Sequence, residues 1–388
     1  MPYRQLRLGM VGGGQGAFIG AVHRIAARLD GRFELVAGAL SSDPQRARES
    51  AAEAGIARSY DDWREMARAE AAREDGIDAV AIVTPNHLHA PVATAFLEAG
   101  IHVVCDKPLA ISLAEGEALA TLAREKNRLF ALTHTYSGYP LVRHAREMIA
   151  AGELGQIRVV QVEYAQDWLA EPVENGGLNK QADWRTDPAL AGPAGCLGDI
   201  GTHAYHLAAF VAGMTPVALS AELHTFVPGR RIDDHVQAML RYANMLRYAN
   251  GARGMLWAGQ VASGSENALR LRVYGTKAGL AFDQEQPNEL WFTPLGGTAQ
   301  RLTRARVSGA AAAHATRVPP GHPEGYLEAF AQLYRDAALQ IEALNDGRPL
   351  PAESLLLTTV DDGVAGLRFI DAVLASSAAN GQWREIAP

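Results

Sequence analysis

Three side chains in this sequence have the chemistry and spacing needed for proton transfer: Lys107, Asp199 and His203. Lys107 follows an apolar run at residues 103–105, which predicts a buried strand with one cation at its carboxyl end. In open α/β sheets, ligands bind at the carboxyl ends of the strands. Asp199 and His203 are four residues apart, so on a helix they share one face. These three residues are therefore the catalytic candidates.

The amino-terminal third contains the elements that would position Lys107. An apolar strand predicted at residues 6–11 runs directly into the glycine loop 12–17, and a helical pattern follows it. Such a loop lets the backbone approach a pyrophosphate, which is favoured by amide groups at the helix start. Either Ala17 or Gly20 can be the small residue that packs closest. We predict cofactor contacts from Gly12, Gly14, Gln15, Ala17, Phe18 and Ile19.

The end of the second predicted strand bears on cofactor choice. An acidic residue there binds the ribose hydroxyls of NAD and repels the extra phosphate of NADP. Here the strand ends in Ser41 and Ser42, with Arg46 one helical turn further on. Hydroxyls and a guanidinium suit a phosphate, which favours NADP. Asp43 can instead serve a ribose, and Ser42 or Asp43 is expected to cap the next helix.

Composition limits the protein to a few classes. The chain has 388 residues, 48% of them hydrophobic, and a net charge of -7, which excludes a basic nucleic-acid surface. No apolar stretch is long enough for a membrane span, and no signal peptide is recognisable. Cys105 and Cys196 lack metal-ligand spacing, so we predict free buried thiols, no metal site and a cytoplasmic location.

Four ordered motifs carry a family resemblance: the glycine loop, residues 84–89, residues 106–108 and residues 198–203. Together they resemble the Gfo/Idh/MocA family, named for glucose-fructose oxidoreductase and inositol dehydrogenase. The resemblance implies an α/β fold with an N-terminal Rossmann domain at 1–135. It also implies a C-terminal α+β domain at 136–388 with a large, mostly antiparallel sheet. Homodimers or homotetramers are expected.

The resemblance also implies an activity. The expected enzyme is an NAD(P)-dependent dehydrogenase or reductase acting on a cyclic sugar, sugar derivative or inositol, with Lys107, Asp199 and His203 as its catalytic group. This chain departs from the family pattern at Asp106, where Glu is usual, at Thr135, where Asn is usual, and in a glycine loop about three residues longer. Further cofactor contacts are predicted at Thr84, Pro85, Asn86, His89, Asp106, Trp184 and Arg185.

Oxidation of a secondary alcohol removes a hydride from carbon and a proton from oxygen. We predict that His203 is the general base, that Lys107 stabilises charge on the same oxygen, and that Asp199 orients His203. The roles of Lys107 and His203 can be exchanged, since burial lowers the pKa of a lysine. Both should meet at the nicotinamide ring. The predicted substrate contacts are Lys107, Tyr136, Asp167, Arg185, Asp199, His203 and His235.

Two other functions fit the same motifs. One is a glycoside-cleaving enzyme that uses transient oxidation by bound NAD, and the other is a dinucleotide-binding sensor without chemistry. Release of an aglycone without net cofactor turnover would identify the first. The presence of both Lys107 and His203 argues against the second.

A tandem hexapeptide occupies residues 239–250, where Met-Leu-Arg-Tyr-Ala-Asn is written twice and followed by Gly251. Asn-Gly favours a hairpin turn, which places a strand before it. An even insertion preserves which side chains face the core. We predict a lengthened hairpin or a bulged loop here, with the second copy either holding the native strand pairing or competing with the first copy for it.

Overall fold

The computed structural model describes residues 4–175, 179–243 and 251–387. These residues form two compact units. The first contains residues 1–138 and 326–364, and the second contains residues 139–325 and 365–388. The sequence-based boundary at residue 135 differs from this division mainly in one segment, because residues 326–364 pack with the first unit.

The first unit is built on a six-stranded sheet in the order β3-β2-β1-β4-β5-β6 with every pair parallel. This is the strand order of a doubly wound dinucleotide-binding fold. Strands β4 and β5 are buried at every position, which explains their unbroken apolar sequences. The strands are β1 Leu6–Gly12, β2 Phe33–Ala39, β3 Arg58–Ser59, β4 Ala79–Val83, β5 His102–Cys105 and β6 Phe130–Leu132.

Helices connect these parallel strands. Three of them begin at a side-chain cap: Asp43, Asp62 and Ser112 each accept a hydrogen bond from a backbone amide of the first turn. Pro44 follows the first of these caps, as the sequence predicts. The helices are α1 Phe18–Leu29, α2 Pro44–Ala54, α3 Trp63–Ala71, α4 His89–Glu98 and α5 Leu113–Glu125.

The second unit is built on a nine-stranded sheet in the order β14-β13-β12-β11-β7-β10-β9-β8-β15. All neighbours are antiparallel except β7 and β10, which run parallel. The strands are β7 Ile157–Ala165, β8 Pro216–His224, β9 His235–Tyr242, β10 Arg253–Gly259, β11 Ala268–Gly275, β12 Ala278–Asp283, β13 Glu289–Pro294, β14 Gln300–Thr303 and β15 Arg384–Glu385.

One face of this sheet is buried and the other is open. Val162 pairs with Leu256, which pairs with Ala238, and all three are buried. The neighbouring row includes Met255 and Met239, which are both exposed. The alternation has the period of two that an antiparallel sheet with one solvated face requires.

The remaining helices complete the two units. The helices of the second unit are α6 Pro140–Ala150, α7 Lys180–Arg185, α8 Pro188–Ala191, α9 Thr202–Ala212 and α10 Ala310–Ala315. The long helix α11, Tyr326–Asn345, packs on the first unit, where Phe330 and Tyr334 join its core. Helix α12, Val360–Ala378, begins in the first unit and ends in the second. The Rossmann sheet and the large mixed sheet confirm the predicted fold class.

The tandem hexapeptide is described only in its first copy. Met239–Tyr242 forms the end of β9 and pairs with both β8 and β10. The second copy, and with it the predicted hairpin or bulge, lies outside the described residues. The first copy therefore holds the strand pairing.

Among the described residues, none of the helices has the length and apolar character needed to cross a membrane.

Candidate functional site

The glycine loop after β1 is packed so closely that side chains are excluded from it. A Cβ atom on Gly20 would lie 2.2 Å from the carbonyl oxygen of Gly13, and one on Gly12 would lie 2.4 Å from that of Val83. Gly20, rather than Ala17, is therefore the small residue that allows α1 to approach the loop. Ala17 instead precedes α1, and its amide donates to Gly14.

The rest of the loop is held by side chains from α1 and α2. Ser50 accepts a hydrogen bond from the Gln15 amide, and Arg24 donates to the carbonyl of Gly13 at 2.7 Å. Phe18 is 70% exposed beside a depression of about 530 Å³. Ile19 packs against the core of the first unit, and its predicted cofactor contact stays a prediction.

The serine-rich end of β2 is organised by local hydrogen bonds. Asp43 accepts from the backbone amide of Arg46 at 2.8 Å and so caps α2. Its own amide donates to Ser41. Ser42 and Arg46 are exposed, as is Asp43. The tip of this strand therefore presents hydroxyls, one carboxylate and one guanidinium to solvent.

The loop after β4 presents a polar group where the sequence predicted one. The hydroxyl oxygen of Thr84 is buried and has no hydrogen-bond partner within the described part of the chain. Its methyl group lies 2.9 Å from the place a Cβ of Gly12 would take. A buried hydroxyl beside the glycine loop suits a ligand that supplies the missing hydrogen bond. Pro85 and Asn86 follow it in a short helical turn.

His89 has a role that differs from the predicted cofactor contact. Its ring is buried, with Nδ1 2.7 Å from the carbonyl oxygen of Pro108 and Nε2 3.0 Å from that of Thr84. Burial lowers the pKa of His89, so the neutral ring has one N–H and donates to one of these carbonyls, while the other carbonyl lies against the unprotonated nitrogen. His89 ties the loop after β4 to the loop after β5, which carries Lys107.

Lys107 lies where the sequence predicts, two residues beyond the end of β5, and is half-buried. Asp106 accepts a hydrogen bond from the Thr133 hydroxyl at 2.7 Å and from the Lys107 amide at 3.1 Å. The carboxylate at this position is thus tied to the end of β6. Because it fixes the backbone at Lys107, the shorter side chain that replaces the usual Glu has a positioning role.

The second candidate group begins on a π-helical turn. Asp199 lies within the turn Leu197–Gly201, in which the Thr202 amide donates to the carbonyl of Leu197, and α9 follows without a break. His203 is the second residue of α9 and is buried. The sequence predicted a single helix from about residue 198. The structure instead places the carboxylate in a wider turn, a feature that often occurs at functional sites.

Two side chains hold the Asp199 carboxylate. Gln260 donates to Oδ2 at 2.9 Å, and the guanidinium Nε of Arg185 is 3.6 Å from the same oxygen. Arg185 also stacks over Trp184 at 4.2 Å, and both belong to the short helix α7. Arg185 was predicted as a contact, whereas Gln260 was missed. The signal for Gln260 is a polar residue directly after the apolar strand β10.

A polar network extends from Tyr164, whose ring lies beside that of His203. Tyr164 lies with its ring centroid 6.3 Å from that of His203, and its hydroxyl donates to Asn267 at 2.7 Å. Gln166 also donates to the Asn267 oxygen, while Trp168 donates to Gln166. These amide, hydroxyl and indole groups come from the ends of β7 and the start of β11. They form a wall suited to a ligand with many hydroxyl groups.

The remaining predicted substrate contacts are placed differently. Tyr136 is buried in the first unit with its ring 6.4 Å from that of Tyr326. Asp167 accepts from the Gly264 amide, beside the polar network. His235 lies on the opposite face of the large sheet from Tyr164, because it is adjacent in sequence to Val236, whose row contains Tyr164. The prediction for His235 is therefore wrong.

His235 has other partners on that open face. The Trp257 indole donates to His235 Nδ1 at 3.2 Å, and burial lowers the pKa of His235. The cysteines are as predicted: Cys105 and Cys196 are both free and buried. Burial raises the pKa of each thiol well above its ordinary value, so both are unreactive.

Comparison with known families assigns most of the chain. Residues 6–134 match the model described as the oxidoreductase family with an NAD-binding Rossmann fold, and residues 142–281 match the GFO/IDH/MocA C-terminal domain. The chain belongs to the Gfo/Idh/MocA oxidoreductase family. It is thus an NAD-binding oxidoreductase, which confirms the resemblance drawn from the four motifs.

Members of the Gfo/Idh/MocA family with solved structures match over almost the full length. An oxidoreductase from Sinorhizobium meliloti is 48% identical, with a TM-score of 0.87 over 98% of this chain and 99% of that one. An inositol dehydrogenase homologue from Azotobacter vinelandii, complexed with NAD+, is 37% identical with a TM-score of 0.92 over 98% and 97%. A structure of such a homologue from that organism holds NADH and myo-inositol, at 36% identity, a TM-score of 0.90 and 98% coverage of both chains.

A further family member is a levoglucosan dehydrogenase. The enzyme from Pseudarthrobacter phenanthrenivorans is 29% identical over 99% of this chain and 98% of its own. A levoglucosan dehydrogenase structure with NADH and levoglucosan has a TM-score of 0.82 at 29% identity, covering 99% of this chain and 100% of that one. This chain is therefore similar along its whole length to enzymes named for cyclic polyols and anhydrosugars.

Proposed function

We propose that this protein is a dehydrogenase or reductase that transfers hydride between a nicotinamide dinucleotide and a secondary alcohol or ketone of a cyclic sugar, sugar derivative or inositol. The observation that carries the proposal is the way in which the side chains of Asp199 and His203 are positioned. Gln260 and Arg185 hold the carboxylate, and the imidazole follows four residues later on the same helical segment. Sensors that only bind a dinucleotide have no need of such an arrangement.

The residues of the first unit fit a dinucleotide. Gly12, Gly13 and Gly20 allow the close packing of this loop, and a Cβ on Gly16 would meet nothing within 4 Å, so the backbone at Gly16 is open to a pyrophosphate. The buried Thr84 hydroxyl provides a hydrogen-bonding group next to that loop. When bound, the dinucleotide supplies the carbon that accepts or gives up the hydride. Dinucleotide contacts are proposed for Gly12, Gly14, Gln15, Ala17, Phe18, Thr84, Pro85, Asn86, Asp106, Trp184 and Arg185.

Three side chains are proposed to act on the substrate. His203 takes the hydroxyl proton during oxidation, and Lys107 donates a hydrogen bond to the same oxygen as its negative charge develops. Asp199 orients His203 and accepts from a neighbouring substrate hydroxyl.

The charge balance around Asp199 favours a neutral substrate. The Arg185 guanidinium is engaged by the Trp184 ring, by Gln181 and by Asp199. It is not positioned as an isolated cation for a substrate carboxylate. Gln166, Trp168 and Asn267 are uncharged and hydrogen-bond to one another, so this wall adds no cation for a substrate carboxylate. The two relatives whose structures hold myo-inositol and levoglucosan support the same substrate class.

For the dinucleotide itself, we propose NAD. The sequence favoured NADP on the basis of Ser41, Ser42 and Arg46, yet the Asp43 carboxylate lies exposed at the same strand end. A carboxylate there repels a ribose phosphate and accepts from ribose hydroxyls. Relatives at 37% and 36% identity hold NAD+ and NADH. The ratio of kcat/KM for NAD to that for NADP tests this choice, and a ratio below one would restore the NADP alternative.

We propose in addition that the protein is a homo-oligomer that uses the open face of the large sheet. A row of paired residues crosses six strands on this face, from Met239 and Met255 to Trp291. The three named side chains are about half exposed. Gln161 and Arg272 lie in the middle of the row, so its exposed apolar residues are towards the two ends, and such residues favour contact with a second copy. Light scattering on wild type and on Trp291→Glu tests this, and a monomeric wild type would exclude it.

The decisive experiment for the activity is a substrate panel. Inositol isomers, levoglucosan and common hexoses are offered with NAD and with NADP, and the absorbance of the reduced nicotinamide is followed. We expect turnover with at least one neutral cyclic polyol. Dinucleotide binding without turnover across the panel would exclude the proposal, and release of an aglycone from glycosides without net reduction would replace it.

A further inference from the structure

The start of the helical segment that carries Asp199 is bound by a single residue from a different part of the chain. Asp233 Oδ1 accepts from the amide of Gly195 at 2.6 Å, and its Oδ2 accepts from the amide of Leu197 at 2.8 Å. Its backbone carbonyl accepts from Cys196 at 2.8 Å. Three consecutive amides thus converge on one residue. They form a concave group of donors of the kind that binds anions.

The contact is close and specific. A Cβ atom on Gly195 would lie 2.3 Å from the carbonyl oxygen of Asp233, so only glycine permits this approach. Asp233 is buried, and burial raises its pKa to about 6, with the two backbone hydrogen bonds acting in the opposite direction. The carboxylate is therefore ionised at neutral pH, when both of its oxygens can accept.

We propose that Asp233 is a positioning residue for the reaction, which sets the place of Asp199 and His203 through the backbone of residues 195–197. This inference rests on the proposed function of Asp199 and His203. The π-helical turn begins at Leu197 itself, so a shift at this amide moves the whole turn and the first residues of α9. The negative charge of Asp233 also stabilises the positive end of the helix dipole.

The neighbouring residue offers a matched control. Asp234 is equally buried, and its carboxylate also accepts from two backbone amides, those of Phe226 and Val227. It binds Arg230 as well, at 3.2 Å. Its contacts therefore hold the loop after β8 rather than the start of the catalytic helix. Asp234→Asn imposes the same chemical change one residue away.

The test compares Asp233→Asn with Asp234→Asn in the full-length protein. An amide group keeps one acceptor but turns the other into a donor facing a donor, so the Leu197 or Gly195 contact is lost. For Asp233→Asn we expect kcat to fall roughly 10- to 100-fold, with dinucleotide Kd and substrate KM nearly unchanged, because a small misplacement of catalytic groups has an effect of this size. For Asp234→Asn we expect lower thermal stability and a kcat close to wild type.

A second measurement does not depend on activity. Amide hydrogen exchange across residues 195–203 should rise in Asp233→Asn and stay at the wild-type level in Asp234→Asn. Unchanged exchange there would overturn the positioning role even if the substrate panel succeeds, whereas increased exchange in a protein that turns over no polyol would count against the proposed function alone. Should Asp233→Asn fail to fold, Gly195→Ala disturbs the same contact from the helix side, and an unaltered kcat in that variant would overturn the inference.

Discussion

The two regions that carry the candidate catalytic groups are fixed by opposite kinds of hydrogen bond. The loop with Lys107 is held by an imidazole, because both ring nitrogens of His89 lie within hydrogen-bonding distance of backbone carbonyls. The helix with Asp199 and His203 is held by a carboxylate, because Asp233 accepts from backbone amides. A loop at the end of a strand exposes carbonyls, whereas a helix start exposes amides. Each region uses the group that its backbone requires.

The comparison also explains what could be predicted from the sequence. Lys107 lies at the end of a buried parallel strand, and the hydrophobic run that forms this strand is local, so its place was predicted correctly. Asp199 and His203 were also placed on one helical segment. Their supports, Asp233 and Gln260, are 30 or more residues further along the chain. No local pattern indicates such a pairing, because it depends on how β9 and β10 lie beside the helix.

Errors in the prediction have equally local causes. His235 was chosen for its chemistry, but the period of two in β9 places it on the open face of the sheet. His89 was chosen from its position after a strand, but its ring is buried. Residue type alone does not show whether a polar side chain faces a ligand or satisfies the backbone. The choice between Ala17 and Gly20 needed a distance that only the structure supplies.

The largest expected effect is a difference between the two units in how much folding stability each loses in acid. In the first unit, burial lowers the pKa of His23 and of His102 from 6.5 to about 4. Between pH 6.5 and about 4, the unfolded chain binds a proton at each of these histidines and the folded chain does not. The free energy of unfolding therefore falls by roughly 3 kcal/mol per histidine as the pH drops through this range. In the second unit the lowered pKa values of His144 and His235 act in the same direction, but the raised pKa of Asp233 has the opposite sign, because its folded form gains a proton first.

Hydrogen exchange at neutral pH and at about pH 4.5 checks this difference. The amides of the first unit should lose more protection than those of the second. His23→Gln should reduce the loss, and the matched change at the exposed His224 should leave it unaltered. An equal loss of amide protection in both units would contradict the expected difference between them.

The next largest effect is expected on dinucleotide affinity when the packing of the glycine loop is disturbed. Gly20→Ala places a Cβ against the Gly13 carbonyl, so the loop must shift. We expect the Kd for the dinucleotide to rise roughly 30-fold, in line with the 1–3 kcal/mol that overpacking costs. Gly366→Ala is the control, because a Cβ at Gly366 meets nothing within 4 Å. Isothermal titration of both variants measures the effect, and equal affinities would show that the loop does not contact the cofactor.

A substitution of His89, whose imidazole supports the loop that carries Lys107, should have a moderate effect on turnover. His89→Leu keeps much of the side-chain volume but removes the hydrogen bond that the ring donates to the carbonyls of Thr84 and Pro108. We expect kcat to fall roughly tenfold with little change in Kd for the dinucleotide, since losing one buried hydrogen bond corresponds to about 1–1.5 kcal/mol. Steady-state kinetics together with dinucleotide titration separate the two quantities. A variant that loses only dinucleotide affinity would show that His89 serves the cofactor after all.

The smallest effect is expected at Gln260. Gln260→Ala removes the Gln260 hydrogen bond to Asp199 and leaves Arg185 in place. We expect kcat/KM for the polyol to fall by roughly fivefold, less than the about 1.5–3 kcal/mol of a hydrogen bond to a charged group, because Arg185 stays beside the carboxylate. Gln260→Glu should lower kcat/KM further than Gln260→Ala does, since it places a second carboxylate against Asp199. If Gln260→Glu were as active as wild type, Gln260 would not be a support of Asp199.

The most direct test of the account is a double-mutant cycle with Lys107→Ala and His203→Ala, measured as kcat/KM at saturating dinucleotide. Each single change should lower the rate roughly a thousandfold, as expected for a group that assists proton transfer. If both side chains serve one substrate oxygen, the double variant should be only slightly slower than the slower single variant. A loss equal to the product of the two single effects, roughly a millionfold, would show that they act independently and would contradict the account.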